Sequence, residues 1–82
     1  MLVKVQKGSV VKAAAGRDCG GYFAVTETQN GYCMIADGKS RKLGTPKRKN
    51  VKHLRFTNSV IDLNDITDKK LRRLLREIRE AE

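Results

Sequence analysis

The amino-acid sequence predicts a mainly β domain: a small, half-open barrel of about five short strands, followed by a C-terminal α-helix. Two observations carry this prediction. Short β-compatible segments alternate with tight-turn signals up to residue 58, and an apolar helical period follows them. With 82 residues and no Trp, the chain has room for one small core built mainly from Val, Ile, Leu and Ala. We therefore assign the barrel to residues 1–58, and the linker with its helix to residues 59–82.

The predicted strands are bounded by residues that favour turns. We expect strands at 9–15, 22–28, 32–36, 39–43 and 51–56. Asn30-Gly31 and Asp37-Gly38 are dipeptides typical of two-residue hairpin turns. Pro46 cannot donate a hydrogen bond to a strand ladder, so we expect a break before the last strand. Five short strands with such turns are typical of an SH3-like barrel.

The candidate core residues lie within these strands. We assign Phe23, Val25, Cys33 and Ile35 to the core. Tyr22 and Tyr32 also fit the core, and stacking on unpaired bases is the alternative for both. Cys19 and Cys33 have no C-x-x-C spacing and no second pair, so we expect two free thiols, no metal site and no cofactor.

Near the C-terminus the apolar period becomes helical. Apolar residues recur at i, i+3, i+4 and i+7: Leu71, Leu74, Leu75 and Ile78. This spacing predicts a helix from about residue 65 to residue 81, with Asp65 and Asp68 as its capping residues. The linker would dock on the barrel through Val60, Ile61 and Leu63.

The charge of the chain is strongly positive and unevenly distributed. Its 18 Lys and Arg against 9 Asp and Glu give a formal net charge of +9. The segment from Lys39 to Arg55 contains eight basic residues and no acid: Lys39, Arg41, Lys42, Lys47, Arg48, Lys49, Lys52 and Arg55. Solubility alone would be served by mixed signs, whereas a cluster of one sign indicates a partner with phosphate groups. We therefore predict that these residues, together with His53, bind RNA.

Two further regions are candidate RNA contacts. In the Gly-rich turn at 16–21, the Arg17 guanidinium would bind phosphate, while Gly16 and Gly20 let the backbone N–H groups approach it. On the helix, a basic stripe at i, i+4 and i+7 predicts a secondary site: Arg72, Arg76 and Arg79. The alternative for the helix is an exposed face with ordinary ion pairs, such as Arg73 with Glu77.

Catalysis and membrane insertion have no support in the sequence. His53 is the sole histidine, its neighbours are basic, and no nucleophile near it in sequence suggests a catalytic pair, so we expect a protein that is not an enzyme. No apolar run approaches the roughly 18 residues that a membrane span requires, and none forms the core of a signal peptide. We therefore expect a cytoplasmic protein without membrane contact.

Residues 8–25 resemble the KOW motif, in particular its form in large-subunit ribosomal proteins of archaea and eukaryotes. Residues 35–38, 41–43 and 46–54 resemble its continuation in the ribosomal protein family numbered fourteen, so that the resemblance covers about residues 8–58. It implies an SH3-like barrel that binds ribosomal RNA through the turn at 16–20 and through its basic edge. The chain departs from the motif at Cys19, which stands where KOW sequences usually have a basic residue.

Charge, turn and resemblance together predict an RNA-binding protein that associates with ribosomal RNA and with ribosomal or other translation proteins, and that is monomeric when free. The alternative is a protein-interaction adaptor of the translation or transcription machinery, with the helix as its contact, because SH3-like barrels also dock onto proteins.

Overall fold

The computed structural model describes residues 6–16 and 19–81 and confirms a mainly β fold with a C-terminal helix. Its elements are β1 (Ser9–Ala13), β2 (Tyr22–Gln29), β3 (Tyr32–Ala36), β4 (Lys47–Asn50), a 3₁₀ turn (Val51–His53), β5 (Leu54–Val60) and α1 (Asp68–Ala81). No helix in the described part of the chain is long and apolar enough to cross a membrane.

All five strands form one antiparallel sheet in the order β4-β3-β2-β1-β5. The predicted Asn30-Gly31 hairpin joins β2 to β3, and Gly31 has the positive φ of 77° that this turn requires. β4 and β5 lie at opposite ends of the strand order although they are consecutive in the chain. The 3₁₀ turn therefore connects the two ends of the sheet, as a barrel-like arrangement requires.

One face of the sheet holds the inner core. Strand side chains alternate between the two faces, and this face takes every second residue of the central strands. The buried cluster consists of Val11, Ala13, Phe23, Val25, Cys33, Ile35 and Leu54, with Val51 and Phe56 packed against it. The core assignments of Phe23, Val25, Cys33 and Ile35 are therefore confirmed.

The opposite face is also apolar, and α1 covers it. Val10, Ala24 and Ala36 are fully buried there against Leu71 and Leu75 of the helix. Partly buried side chains surround this outer cluster: Tyr22, Leu43, Ile61, Leu63, Ile66 and Ile78. Tyr22 thus packs on the core as predicted, and the docking contacts of Ile61 and Leu63 are confirmed, whereas Val60 is 55% exposed and its predicted docking contact is wrong.

The helix begins three residues later than predicted. The Thr67 hydroxyl accepts the Lys70 N–H at 3.2 Å, so Thr67 caps the first turn. Asp65 instead takes a positive φ of 55° in the turn before the helix, and its predicted capping role is wrong. The Asp68 carboxylate accepts the Leu43 N–H at 2.7 Å and thereby ties the helix N-terminus to the segment between β3 and β4.

The predicted strand at 39–43 is wrong, because this segment folds into a loop. One oxygen of the Asp37 carboxylate accepts the backbone N–H groups of both Lys39 and Arg41 at 2.8 Å. The Asp37 N–H in turn donates to the Arg41 carbonyl at 2.8 Å. These bonds curl the chain, so the strand that pairs with β3 is Lys47–Asn50, and it starts directly after Pro46.

Candidate nucleic-acid interface

The Gly-rich turn between β1 and β2 is fixed at its base by backbone hydrogen bonds. The Gly20 N–H donates to Ala13 O at 2.8 Å, and the Cys19 N–H donates to Gly16 O at 3.2 Å. Gly16 and Gly20 have positive φ values of 81° and 88°, which only glycine adopts without strain. Arg17, the predicted phosphate contact of the turn, lies outside the described residues.

This turn is hydrogen-bonded to β4 and to the 3₁₀ turn that connects β4 to β5. The Ala14 N–H donates to the carbonyl of His53 at 2.8 Å, and the Lys49 ammonium donates to Ala15 O at 3.1 Å. Lys49 pairs in register with the buried Cys33, so its side chain enters the inner face and is only 9% exposed. Sequence reasoning placed Lys49 among the phosphate contacts, whereas its ammonium lies below the turn, next to Gly16.

The neighbouring residue of β4 points outward. The Arg48 guanidinium carbon lies 4.1 Å from the centre of the Tyr32 ring, in a cation–π contact between two exposed side chains. Tyr32 is 36% exposed, so its assignment to the core is wrong. The pair presents a planar, charged group on the outside of the sheet.

Further basic residues of this edge lie on the 3₁₀ turn and at the start of β5. Lys52 and His53 are exposed on the 3₁₀ turn, whose start is capped by the Asn50 side chain accepting the Lys52 N–H at 2.9 Å. Arg55 follows at the start of β5 and is also exposed. We call this region the turn–edge surface; it consists of Gly16, Gly20, Lys47, Arg48, Lys52, His53 and Arg55.

A row of side chains leads away from Arg55 across the outer face of the sheet. Lys12 pairs in register with Arg55 on one side and with Tyr22 on the other, and residues directly opposite each other share a face. The Lys12 ammonium lies 5.7 Å from the centre of the Tyr22 ring. The row therefore runs from the turn–edge surface towards α1.

Next to Tyr22, an open groove of about 860 Å³ separates α1 from the loop after β3. Seven basic residues line it: Lys39, Lys69, Lys70, Arg72, Arg73, Arg76 and Arg79. We call this region the helix groove. It brings Lys39 together with the predicted secondary site, Arg72, Arg76 and Arg79, which sequence reasoning had treated as a separate region.

Acidic side chains contribute little to this groove. Asp37 is the one acid among the described lining residues, and one of its carboxylate oxygens already accepts two backbone N–H groups. Glu77 and Glu80 of the same helix are not among the residues that line it. Among the described residues, the side of the helix that faces the groove is therefore basic.

The two walls of the groove are held together directly. Arg72 Nη1 donates to the Gly38 carbonyl at 2.7 Å. A Cβ atom on Gly38 would lie only 2.3 Å from the backbone oxygen of Asp68, so the loop and the first helical turn are in close contact. Within this loop Arg41 is half-buried, whereas Lys42 is exposed on the far side and does not line the groove.

Lys70 and Arg73 were not predicted as residues of this site, although they flank the basic stripe on α1 and the nearby Lys69. Lys39 of the opposite wall was predicted as an RNA contact, but no sequence signal placed it against the helix. That wall is formed by a loop bonded to residues more than 20 positions away. A groove of this kind becomes visible only in the folded chain.

Other chemistry at the surface is sparse. Burial raises the pKa of the Cys33 thiol, so little thiolate forms there at neutral pH, while Cys19 is exposed in the Gly-rich turn. Within residues 6–16 and 19–81, no three His, Cys, Asp or Glu side chains come together as metal ligands.

No protein-family model matches this chain, and no curated protein sequence matches it significantly.

Proposed function

We propose that this protein is a cytoplasmic RNA-binding protein that associates with ribosomal RNA and holds its phosphate groups on the turn–edge surface. One observation carries the proposal: the Gly-rich turn is hydrogen-bonded to the basic 3₁₀ turn through Ala14 and His53. Glycine backbone that a phosphate can approach closely and exposed cations therefore occur side by side. The resemblance to KOW sequences points to the same ligand.

The residues of this surface and Lys49 beneath it can take different roles in RNA binding, according to their exposure and their contacts within the protein. Lys52, His53 and Arg55 are exposed, and their side chains can meet phosphate oxygens at the edge of the turn. Arg48, stacked on Tyr32, offers a flat guanidinium face, and unpaired RNA bases stack on such planes. Lys49 supports the turn from below through Ala15 O and adds positive potential under it.

The first test is the salt dependence of binding to a fluorescently labelled single-stranded RNA. Four to six phosphate contacts, at roughly 0.7 released counterions each, give a log–log slope of about −3 to −4. Fluorescence anisotropy across a range of salt concentrations measures this slope. A flat titration would contradict the electrostatic mechanism.

The second test locates the surface. Replacing Arg48 and Lys52 together by Gln should weaken RNA binding and reduce the salt slope by about 1 to 1.5, because two positive charges are lost, at roughly 0.7 released counterions each. Lys7→Gln, an exposed lysine away from the turn–edge surface, serves as the control for loss of charge alone. Lys49 stays unchanged in this test because its ammonium is buried and bonded to Ala15 O.

Association with ribosomes requires a separate measurement. Co-sedimentation of the protein with ribosomal particles, before and after ribonuclease treatment, distinguishes RNA contact from protein contact. Loss of co-sedimentation after treatment supports RNA binding. Partners that remain bound would instead favour a protein-interaction adaptor.

A further inference from the structure

We propose that the helix groove is a second binding site for the RNA phosphate backbone, and that one RNA strand crosses both the turn–edge surface and this groove. The inference rests on the proposed RNA-binding function and extends it. It assigns to α1 a direct part in binding, in addition to covering the outer face of the sheet.

The charge geometry of the groove suits a strand rather than a single phosphate. From Arg72 to Arg79 the arginines extend on the order of 10 Å along the helix, at about 1.5 Å per residue. Lys39 faces them from the loop wall. A row of guanidinium groups with a lysine opposite provides several successive phosphate contacts. Each guanidinium can form a bidentate contact, in which two N–H groups donate to two oxygens of one phosphate.

The groove is formed before any ligand arrives. Arg72 Nη1 is bonded to Gly38 O, and the Asp68 carboxylate accepts the Leu43 N–H, so loop and helix are fixed to each other. A preformed site loses little conformational entropy on binding. Arg73, Arg76 and Arg79 are exposed on this rigid frame and available to an incoming anion.

The groove is also continuous with the turn–edge surface. Gly21 and Tyr22 line its near end, and Gly21 is the last residue of the Gly-rich turn. The row of Arg55, Lys12 and Tyr22 joins the two regions across the sheet. The whole molecule measures 30 × 27 × 25 Å, so a strand of roughly 4–16 nucleotides, the range held by small single-strand-binding barrels, can cover both sites.

An acidic protein segment is the competing ligand for a basic groove. RNA is favoured because the groove continues into the glycine turn, where backbone rather than side chains can approach a phosphate, and because an aromatic ring, Tyr22, lies at the junction. An acidic peptide could also reach the glycine turn with a carboxylate, but it brings no base to stack on the Tyr22 ring. A competition experiment between RNA and an acidic polypeptide distinguishes the two ligands.

The experiment uses the full chain with Arg73, Arg76 and Arg79 all changed to Gln. These side chains are exposed, so thermal unfolding should be unaffected. Binding is measured with labelled single-stranded RNAs of roughly 4 and 16 nucleotides. We expect the long RNA to bind the variant with a salt slope smaller by about 2, because three contacts at roughly 0.7 each are lost, and the advantage of the long RNA over the short one to shrink.

Two controls separate location from net charge. Arg76→Gln and Lys7→Gln each remove one positive charge, and we expect only the first to reduce the salt slope. Glu77→Gln with Glu80→Gln raises the charge of the same helix outside the groove, and it should leave the length dependence unchanged.

Each outcome has a definite meaning. If the triple variant keeps the wild-type slope and length dependence while Arg48→Gln with Lys52→Gln weakens binding, the groove proposal is overturned and RNA binding stands. If the wild-type protein shows no salt-dependent RNA binding, the proposed function itself fails. If poly-glutamate binds the wild-type groove and RNA does not displace it, the groove belongs to an acidic partner and the inference is wrong.

Discussion

The turn–edge surface and the helix groove are both basic, but they use their cations differently. On β4, Lys49 turns inward to hold the Gly-rich turn and Arg48 stacks on Tyr32, so both have work within the fold. In the groove, Arg76 and Arg79 project from a regular helix into solvent. These two charges on β4 therefore also contribute to the fold, as Arg72 does in the groove, whereas Arg76 and Arg79 remain available for a ligand.

The two regions also depend on different cores. The turn–edge surface is built on strands that share the inner cluster of Val11, Phe23, Ile35 and Leu54. The helix groove exists only while α1 packs on the outer cluster, since one of its walls is the helix itself. Damage to the outer cluster should therefore affect the groove first.

Leu71→Ala is expected to have the largest effect. Leu71 is 0% exposed between α1 and the outer face, and removing such a side chain costs about 2–5 kcal/mol in the free energy of unfolding. Leu74→Ala, on the same helix but half-buried, should cost less. Urea unfolding measures both, and equal costs would contradict the packing described for α1. Under conditions in which the sheet of Leu71→Ala remains folded, the variant should also lose part of the difference in affinity between the long and the short RNA.

Gly38→Ala tests the contact between the two groove walls, with Gly20→Ala as its matched control. Both glycines have positive φ, so alanine costs roughly 1–2 kcal/mol at either position. A Cβ at Gly38 would also meet Asp68 O, whereas nothing lies within 4 Å at Gly20, so Gly38→Ala should cost about 1–3 kcal/mol more. Thermal unfolding gives the difference, and equal melting temperatures would show that loop and helix are not coupled.

The same contacts explain what sequence could and could not predict. The β2–β3 hairpin was predictable because Asn30-Gly31 stands between two β-rich segments, and the helix was predictable from its apolar period. The loop after β3 was not, since its shape depends on the Asp37 carboxylate and on the close approach of Gly38 to Asp68. The Asp37 contacts lie within four residues, but Asp37-Gly38 is equally typical of a hairpin turn, and the approach of Gly38 to Asp68 joins residues 30 positions apart.

The candidate site, too, was only partly predictable from the sequence. The segment of one-sign charge was evident from composition alone, but the inward direction of Lys49 follows from its register opposite Cys33. Because residues 47–50 follow the predicted break and were assigned to no strand, the alternation of side chains along a strand could not be applied to them. Strand position, and not charge, decides which of these lysines reaches solvent.

A comparison of Lys49→Met with Arg76→Met tests whether the inward-facing lysine stabilises the fold while the exposed arginine binds RNA. The first removes a buried lysine that donates to the part-buried Ala15 O, and a hydrogen bond from a charged group contributes about 1.5–3 kcal/mol. The second alters an exposed helix residue and should change the free energy of unfolding by less than about 0.5 kcal/mol. Chemical denaturation measures stability, and RNA titration measures the salt slope. We expect Lys49→Met to lower stability and Arg76→Met to lower the slope, and the reverse pattern would refute the contrast between the two regions.

Arg48→Lys is expected to have only a small effect on stability, and it separates charge from planarity on the turn–edge surface. The substitution keeps the positive charge but loses the flat guanidinium on the Tyr32 ring, an exposed contact that contributes about 0.5–1 kcal/mol. The salt slope of RNA binding should be unchanged, since it counts charges. Affinity for single-stranded over double-stranded RNA should fall, because only unpaired bases stack on the guanidinium. Lys52→Arg is the control, and an unchanged strand preference in Arg48→Lys would mean that Arg48 contributes charge alone.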